Sequence, residues 1–196
     1  MRKGAKTREY IIMQAAELFN QQGYAGSSIS DIMQVTGLRK GGIYNHFESK
    51  DELALEAFDY AISRLSRRYA EAIKGKTSAI DQLISIVSIY RNIIEDPPLK
   101  GGCPLLNTAI ESDDAHPALR ERARHAMNQF LKFIRIVINR GKRAGQILSS
   151  VDAESVSIYI VSTMEGGVMM SQLYHDSTYM QRTLENLTSY IESLRT

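Results

Sequence analysis

The sequence predicts an all-α fold, an N-terminal three-helix domain followed by a C-terminal helical bundle, and three observations carry that prediction. Apolar residues recur at three- and four-residue spacing in one segment after another, the period of a helix with one buried side. Those segments start at Ser or Asp and stop at Gly or Pro, the residues that cap and break helices. Between two of them, Thr36-Gly37-Leu38 makes so tight a turn that the flanking apolar runs, 29–33 and 43–47, must cross as a helix-turn-helix.

The elements follow in order. Residues 7–22 set Ile11, Ala15, Leu18 and Phe19 on one side of a helix that Gly23 ends. Arg2, Lys3, Lys6 and Arg8 precede or open it, a basic arm of the kind that lies along phosphates. Ser27 and Ser28 offer an N-cap for a helix over 29–36, and Gly37 can take the left-handed angle that stops it. Ser49 with Glu52 reads as a capping box opening a long helix to about residue 74, whose core face is Leu53, Leu55, Phe58, Ile62, Leu65 and Tyr69. After the Gly75 to Ser78 break comes a helix over 79–94 that is apolar around most of its circumference. Asp96-Pro97-Pro98 stops it, and a short helix over 105–112 follows a Gly-Gly-Cys-Pro loop. Pro117 opens a long helix to 143, Asp152 caps another through 175, and Ser177 or Thr178 starts the last.

The helix after Leu38 divides its surface between two tasks. At 100° per residue Ile43 and Phe47 share the core side, which leaves Gly41, Gly42 and Asn45 opposite, with Tyr44 and His46 on the flanks. Two glycines in a first turn cost about 1 kcal/mol each relative to alanine. Close approach of the backbone to another surface explains that cost, and the free amides of a helix start suit a phosphate or a base edge. Tyr44 and His46 can then donate to phosphates while Asn45 addresses the bases.

The run Thr36 to Phe47 with Ser49-Lys50-Asp51-Glu52-Leu53 after it and Ala15-x-x-Leu18-Phe19 before it resembles the signature of the TetR family of bacterial transcriptional regulators. The resemblance implies a helical homodimer with an N-terminal DNA-binding domain, residues 1–50, and a C-terminal ligand-binding and dimerisation domain, residues 51–196. It places DNA contacts on Ser28, Lys40, Gly41, Gly42, Tyr44, His46 and Lys50; the wheel adds Asn45, and Arg39 beside the motif is included in the expected set. Arg39 stands where that family usually has a serine or threonine cap, and Gly42 where it has a small hydroxyl residue or alanine.

Composition sets outer bounds. With 196 residues, 43% hydrophobic and 23% charged, the chain can bury a sizeable core. No apolar run approaches the roughly 20 residues that span a bilayer, and the N-terminus lacks the apolar core of a signal peptide, so a cytoplasmic protein is expected. One cysteine, Cys103, allows no intrachain disulfide. The formal charge is only +2, but residues 1–50 hold seven Lys and Arg against four acidic residues, an excess located at the motif.

The C-terminal part yields two further expectations. Tyr90, Arg91, Cys103, His125, Met127, Tyr159, Met164 and Met169 mix aromatic, soft and polar groups in apolar helices, and Tyr90, Cys103, His125, Met127, Tyr159 and Met164 are taken as a pocket for an unidentified small-molecule effector. A ligand there would push the helix that begins at Asp51 and swing the reading head. Met180, Leu184, Leu187, Ile191 and Leu194 repeat at four and three like a heptad seam, and with Val156, Ile160 and Gly167 of the preceding helix they are assigned to the dimer interface. Asp113, Asp114 and His116 are better read as a solvated loop than as a metal site, since no second histidine or cysteine stands at ligand spacing. Neither cofactor nor metal is expected.

The function expected is a ligand-responsive regulator, most simply a repressor, bound to a palindromic operator in double-stranded DNA. An enzyme or carrier on a helical bundle is the alternative, though the sequence shows no nucleotide loop, no paired Glu-x-x-His motifs and only four histidines. A ligand-free structural DNA-binding factor is the third reading. Cys103 is expected to be a buried, inert thiol rather than a redox sensor.

Overall fold

Local chemistry builds the helices of this chain, and the computed structural model describes residues 3–112 and 116–196. Among the described residues the elements are α1 (Lys3–Gln22), α2 (Ile29–Thr36), α3 (Lys40–Tyr44), α4 (Lys50–Ile73), α5 (Ala79–Ser88), α6 (Pro104–Glu111), α7 (Pro117–Arg143), α8 (Ala153–Tyr174) and α9 (Thr178–Glu192). The expected caps Ser28 and Asp152 each accept a backbone amide of the helix they open, and Ser78, read only as part of a break, does the same for α5. At α4 the box is split, because the Ser49 hydroxyl accepts Glu52 N at 3.1 Å while the Glu52 carboxylate reaches back one residue further, to Glu48 N at 2.6 Å.

Two compact units divide the chain, residues 1–64 with 99–126 and residues 65–98 with 127–196. The boundary falls inside α4 and inside α7. Unit 1 therefore exceeds the domain expected to end at residue 50, and hydrogen bonding explains why. Asn107 Nδ2 on α6 donates to Asn20 O (3.0 Å), Asn20 Oδ1 (3.1 Å) and Gly101 O (2.8 Å). Asn20 Nδ2 in turn donates to Lys100 O at 2.8 Å and Gly102 O at 3.1 Å, so the end of α1 is stitched to residues 100–107. Its core joins Ile11, Ala15 and Leu18 of α1 to Ile32, Ile43, Phe47 and Leu53.

In unit 2, α5 ends earlier than the apolar pattern suggested. The helix stops at Ser88, and the chain runs on through turns closed by Arg91 N to Ser88 O (3.1 Å) and Asp96 N to Asn92 O (2.8 Å). Tyr90 and Ile93 stay buried in that tighter path. Apolar content here reported burial rather than helix length.

The α9 seam expected to form a dimer interface is already covered within the single chain. Met180, Leu184, Leu187, Ile191 and Leu194 are buried inside the single chain, as are Val156 and Ile160. They are covered because α9 packs on both α8 and α5. Gly167 belongs to the same contact: a Cβ there would stand 2.8 Å from Met180 Sδ and 2.9 Å from Thr183 Oγ1. Met180 N donates to Ser171 Oγ at 2.9 Å, and Leu148 N to Leu194 O at 2.9 Å, tying both ends of α9 to its own chain.

The surface left open lies on α8. Ile158, Tyr159, Met169, Met170, Leu173 and Tyr174 are exposed, Leu173 at 74%. With Ser155, Ser162 and Gly166 they form a stripe that carries no charge, opposite the buried Val156, Ile160, Met164 and Val168. The prediction that separates the two faces is direct. Leu187→Ala lowers the unfolding free energy by about 2–5 kcal/mol in urea titrations, the cost of a core cavity, and leaves the association state measured by sedimentation unchanged.

Candidate nucleic-acid interface

The reading head begins at Ser28, whose backbone is extended (φ −98°, ψ 167°) so that its hydroxyl can cap α2. Asp31 N donates to Ser28 Oγ at 3.2 Å, and Asp31 Oδ2 accepts both Ser28 N and Ser28 Oγ at 2.7 Å. Those bonds, the hydroxyl's first, hold the Asp31 carboxyl below the usual carboxylate range. The helix stops at Gly37, left-handed at φ 68°, whose N–H donates to Met33 O at 2.9 Å. Thr36 Oγ1 donates to Ile32 O (2.6 Å) and accepts Leu38 N (3.3 Å), fixing the turn from within. Ile32, Ile43 and Phe47 are buried beneath it.

What remains outward is the face the wheel selected. Arg39, Lys40, Gly41, Tyr44 and Asn45 are exposed, and Gly42 and His46 are half-buried. A Cβ at Gly41 would meet nothing within 4 Å, and one at Gly42 only Leu38 Cβ at 3.7 Å. The chain's own packing therefore does not require either glycine. Helical bonding continues through Asn45 N to Gly41 O (3.0 Å) and Phe47 N to Ile43 O (3.2 Å), which holds Asn45 and His46 in register with α3.

Several basic and hydroxyl groups assigned to this face are already engaged. The Ser28 proton goes to Asp31. Lys50 Nζ donates to Tyr24 O at 2.6 Å and lies 4.0 Å from the centroid of the Tyr24 ring. Arg8 does not extend as an arm: α1 is helical there, and the guanidinium pairs with Glu56 through both its terminal nitrogens and sits 4.8 Å above the Phe47 ring. That pairing raises the Arg8 pKa further above its ordinary value. Lys6 is exposed on α1, while Arg2 and the Lys3 side chain lie outside the described residues.

The loop between α1 and α2 is held by partners distant in sequence. Glu111, on α6, accepts Tyr24 N at 2.8 Å and Ala25 N at 2.7 Å, one amide on each carboxylate oxygen. The Tyr24 hydroxyl donates to Asp51 at the start of α4, and burial first, then that bond, pushes the phenol up to about 12. Ser27 Oγ closes the loop on Gly23 O at 2.7 Å. None of this was read from the sequence, since residues 24, 51 and 111 share no local pattern.

Residues 11–57 match the family model described as bacterial regulatory proteins, tetR family, and residues 79–187 match the tetracyclin repressor-like C-terminal domain. The chain belongs to the TetR family of bacterial transcriptional regulators. A crystal structure of a TetR transcriptional regulator from Chloroflexus aurantiacus J-10-FL is 47% identical with a TM-score of 0.95, covering 100% of this chain and 98% of that one. A TetR-family regulator from Cytophaga hutchinsonii is 30% identical with a TM-score of 0.94, again over 100% and 98%. Among characterised relatives, the transcriptional repressor DhaR of Mycobacterium sp. (strain GP1) is 22% identical over 85% of this chain and 82% of its own.

In this TetR-family chain the six residues expected to form an effector pocket differ in exposure. Tyr90, Cys103 and Met164 are fully buried, Met127 is half-buried, and His125 is exposed. Tyr159 is 45% exposed and meets Tyr190 edge-on at 4.6 Å. Cys103 and His125 belong to unit 1 and the other four to unit 2. A cavity of about 200 Å³ in unit 1 is lined by none of them; Phe19, Tyr24, Phe58, Glu111 and His116 are among its walls. Composition marked apolar helices correctly but cannot tell a filled core from an open one. Asp113 and Asp114, weighed with His116 as metal ligands, lie outside the described residues.

The Glu111 bonds lead to a measurement. Glu111→Ala leaves the Tyr24 and Ala25 amides without their acceptors, and hydrogen exchange at both is expected to accelerate at least tenfold while the amides of α8 keep their protection.

Proposed function

We propose that this regulator is a ligand-responsive repressor, not an enzyme, which binds a palindromic operator as a homodimer in the bacterial cytoplasm. The observation that carries the reading is the open glycine face of α3, flanked by exposed Tyr44 and Asn45, at a place where the chain has no internal use for missing side chains. With α3 in a major groove, Gly41 and Gly42 allow the backbone to approach, Tyr44 and His46 hydrogen-bond phosphates on either side, and Asn45 meets base edges, pairing best with adenine. Arg39 and Lys40 add charge at the groove wall. Repression is favoured by the relative named a transcriptional repressor. No helix among the described residues is long and apolar enough to cross a membrane, in keeping with action on DNA.

The dimer surface is the uncharged stripe of α8, not the α9 seam. A two-fold contact is self-complementary, so an apolar strip with small Ser155, Ser162 and Gly166 along its middle meets its own copy without burying a charge. Such a dimer would set two reading heads about 34–36 Å apart, the spacing of successive major grooves on one side of DNA.

Two sets of variants test this. Tyr44→Phe and His46→Ala each weaken binding to every DNA sequence by about tenfold in fluorescence anisotropy, whereas Asn45→Ala relaxes the preference at one base pair per half-site. Unchanged affinity in both phosphate variants would refute the assigned contacts. Leu173→Glu places a charge on the α8 stripe and is expected to yield monomers in sedimentation equilibrium with operator affinity reduced at least a hundredfold. A dimer persisting in that variant means that another surface joins the copies.

A further inference from the structure

The cavity in unit 1 lies among α1, α4, α6 and the start of α7. Its room comes from small side chains: Ala16 on α1, and Ala54, Ala57 and Ala61 on α4 at spacings of three and four that put them on one side of the helix. Phe19 and Phe58 add aromatic wall. An apolar cavity of about 150 Å³ accepts benzene, so one of about 200 Å³ accepts a single ring with a short substituent.

Most of the polar groups around it are spoken for. Asn20 binds the 100–102 backbone, Glu111 binds the Tyr24 and Ala25 amides, and Ser112 Oγ donates to Thr108 O at 2.5 Å. His116 differs. Its Nδ1 accepts Leu119 N at 3.1 Å, which leaves the proton of the neutral ring on Nε2. Among the described residues that buried Nε2 has no hydrogen-bond partner, and Asp51 Oδ1, 3.8 Å away, already takes the Tyr24 hydroxyl. Among the described lining residues it is the only buried side-chain atom in that position. Glu111 and Asp51 beside it disfavour an anion, and the ammonium of Lys50 is held by Tyr24.

We propose that this cavity is a binding site for an uncharged single-ring aromatic compound with one acceptor oxygen, the ring set against the alanines and phenylalanines and the oxygen accepting from His116 Nε2. The site touches the clasp that positions the reading head: Tyr24 and Glu111 line the cavity and are bonded to one another, and the loop they hold leads into the Ser28 cap. A ligand that displaces Tyr24 or Glu111 shifts the start of α2, and so changes operator affinity from within the DNA-binding unit. This last step rests on the ligand-responsive reading above; the binding step does not.

The test uses the full-length protein, NMR chemical-shift titration and three probes: acetophenone, ethylbenzene as the analogue without an oxygen, and benzoate as the charged one. Acetophenone is expected to bind about tenfold more tightly than ethylbenzene, the worth of one hydrogen bond, and benzoate more weakly than either. His116→Phe keeps the ring but not the donor, and should erase the acetophenone advantage while leaving ethylbenzene unchanged. Ala57→Leu and, separately, Ala61→Leu fill the space and should abolish binding of both with the native amide spectrum retained. No binding of acetophenone to the wild type, or an undiminished advantage in His116→Phe, overturns the site. Anisotropy on a palindromic duplex selected against this protein, with and without acetophenone, separates the two readings. Saturable binding with unchanged duplex affinity removes the cavity's control of DNA and leaves the site, whereas absent binding beside a normal DNA complex removes the site and leaves the DNA reading.

Discussion

Everything that α2 and α3 present outward hangs from the few residues between Gly23 and Ser28, and that stretch is held by the carboxylate of Glu111. Two charge-assisted bonds to adjacent amides fix both its position and its orientation, because each carboxylate oxygen takes one N–H. The partners are 87 and 86 residues apart in sequence. A helix-turn-helix of some 25 residues has little core of its own, and here its footing is supplied by α6 through Glu111 and Asn107. The compact unit therefore extends beyond the motif and takes in residues 99–126.

How far the sequence could be read follows the distance over which each interaction acts. Caps and stops act within four residues, and Ser28, Gly37 and Asp152 take the roles their positions announced. The two sides of α3 were equally legible, since Ile43 and Phe47 differ from Gly41 and Asn45 in kind as well as in angle. The 4-3-4-3 spacing of α9 correctly signalled a buried stripe, but spacing says nothing about which chain covers it, and α5 and α8 do so from within. The cavity was beyond reach for the same reason. Its walls come from residues 16–25, 54–61 and 104–119, which only the fold assembles. One local feature goes with it: Asn107 and Glu111 stand four apart on one face of a short helix, a spacing that a solvated face shows equally well.

The contrast between α8 and α9 shows why two apolar helices can differ in purpose. In α9 the apolar residues form one stripe, and the chain covers it. In α8 they form two, and the chain can cover only one, since α9 and the rest of unit 2 lie along the side of Val156, Ile160, Met164 and Val168. A helix with apolar residues on opposite sides asks for neighbours on both. The exposed tyrosines 159 and 174 are steadied within the chain by Tyr190 and Tyr179, with ring centroids 4.6 and 4.8 Å apart, so the stripe is a preformed surface.

The open space beside Gly41 and Gly42 also bears on how such a protein changes over generations. Most positions in a small domain are policed by stability, since a new side chain must find room or loosen the fold. Here an added side chain meets no internal resistance and gains helix propensity. On the proposed DNA reading, selection at these two sites is thus left almost wholly to the nucleic acid. A lineage could exchange one recognition sequence for another by successive substitutions here, each folding as well as its parent, without compensating mutations elsewhere in the chain.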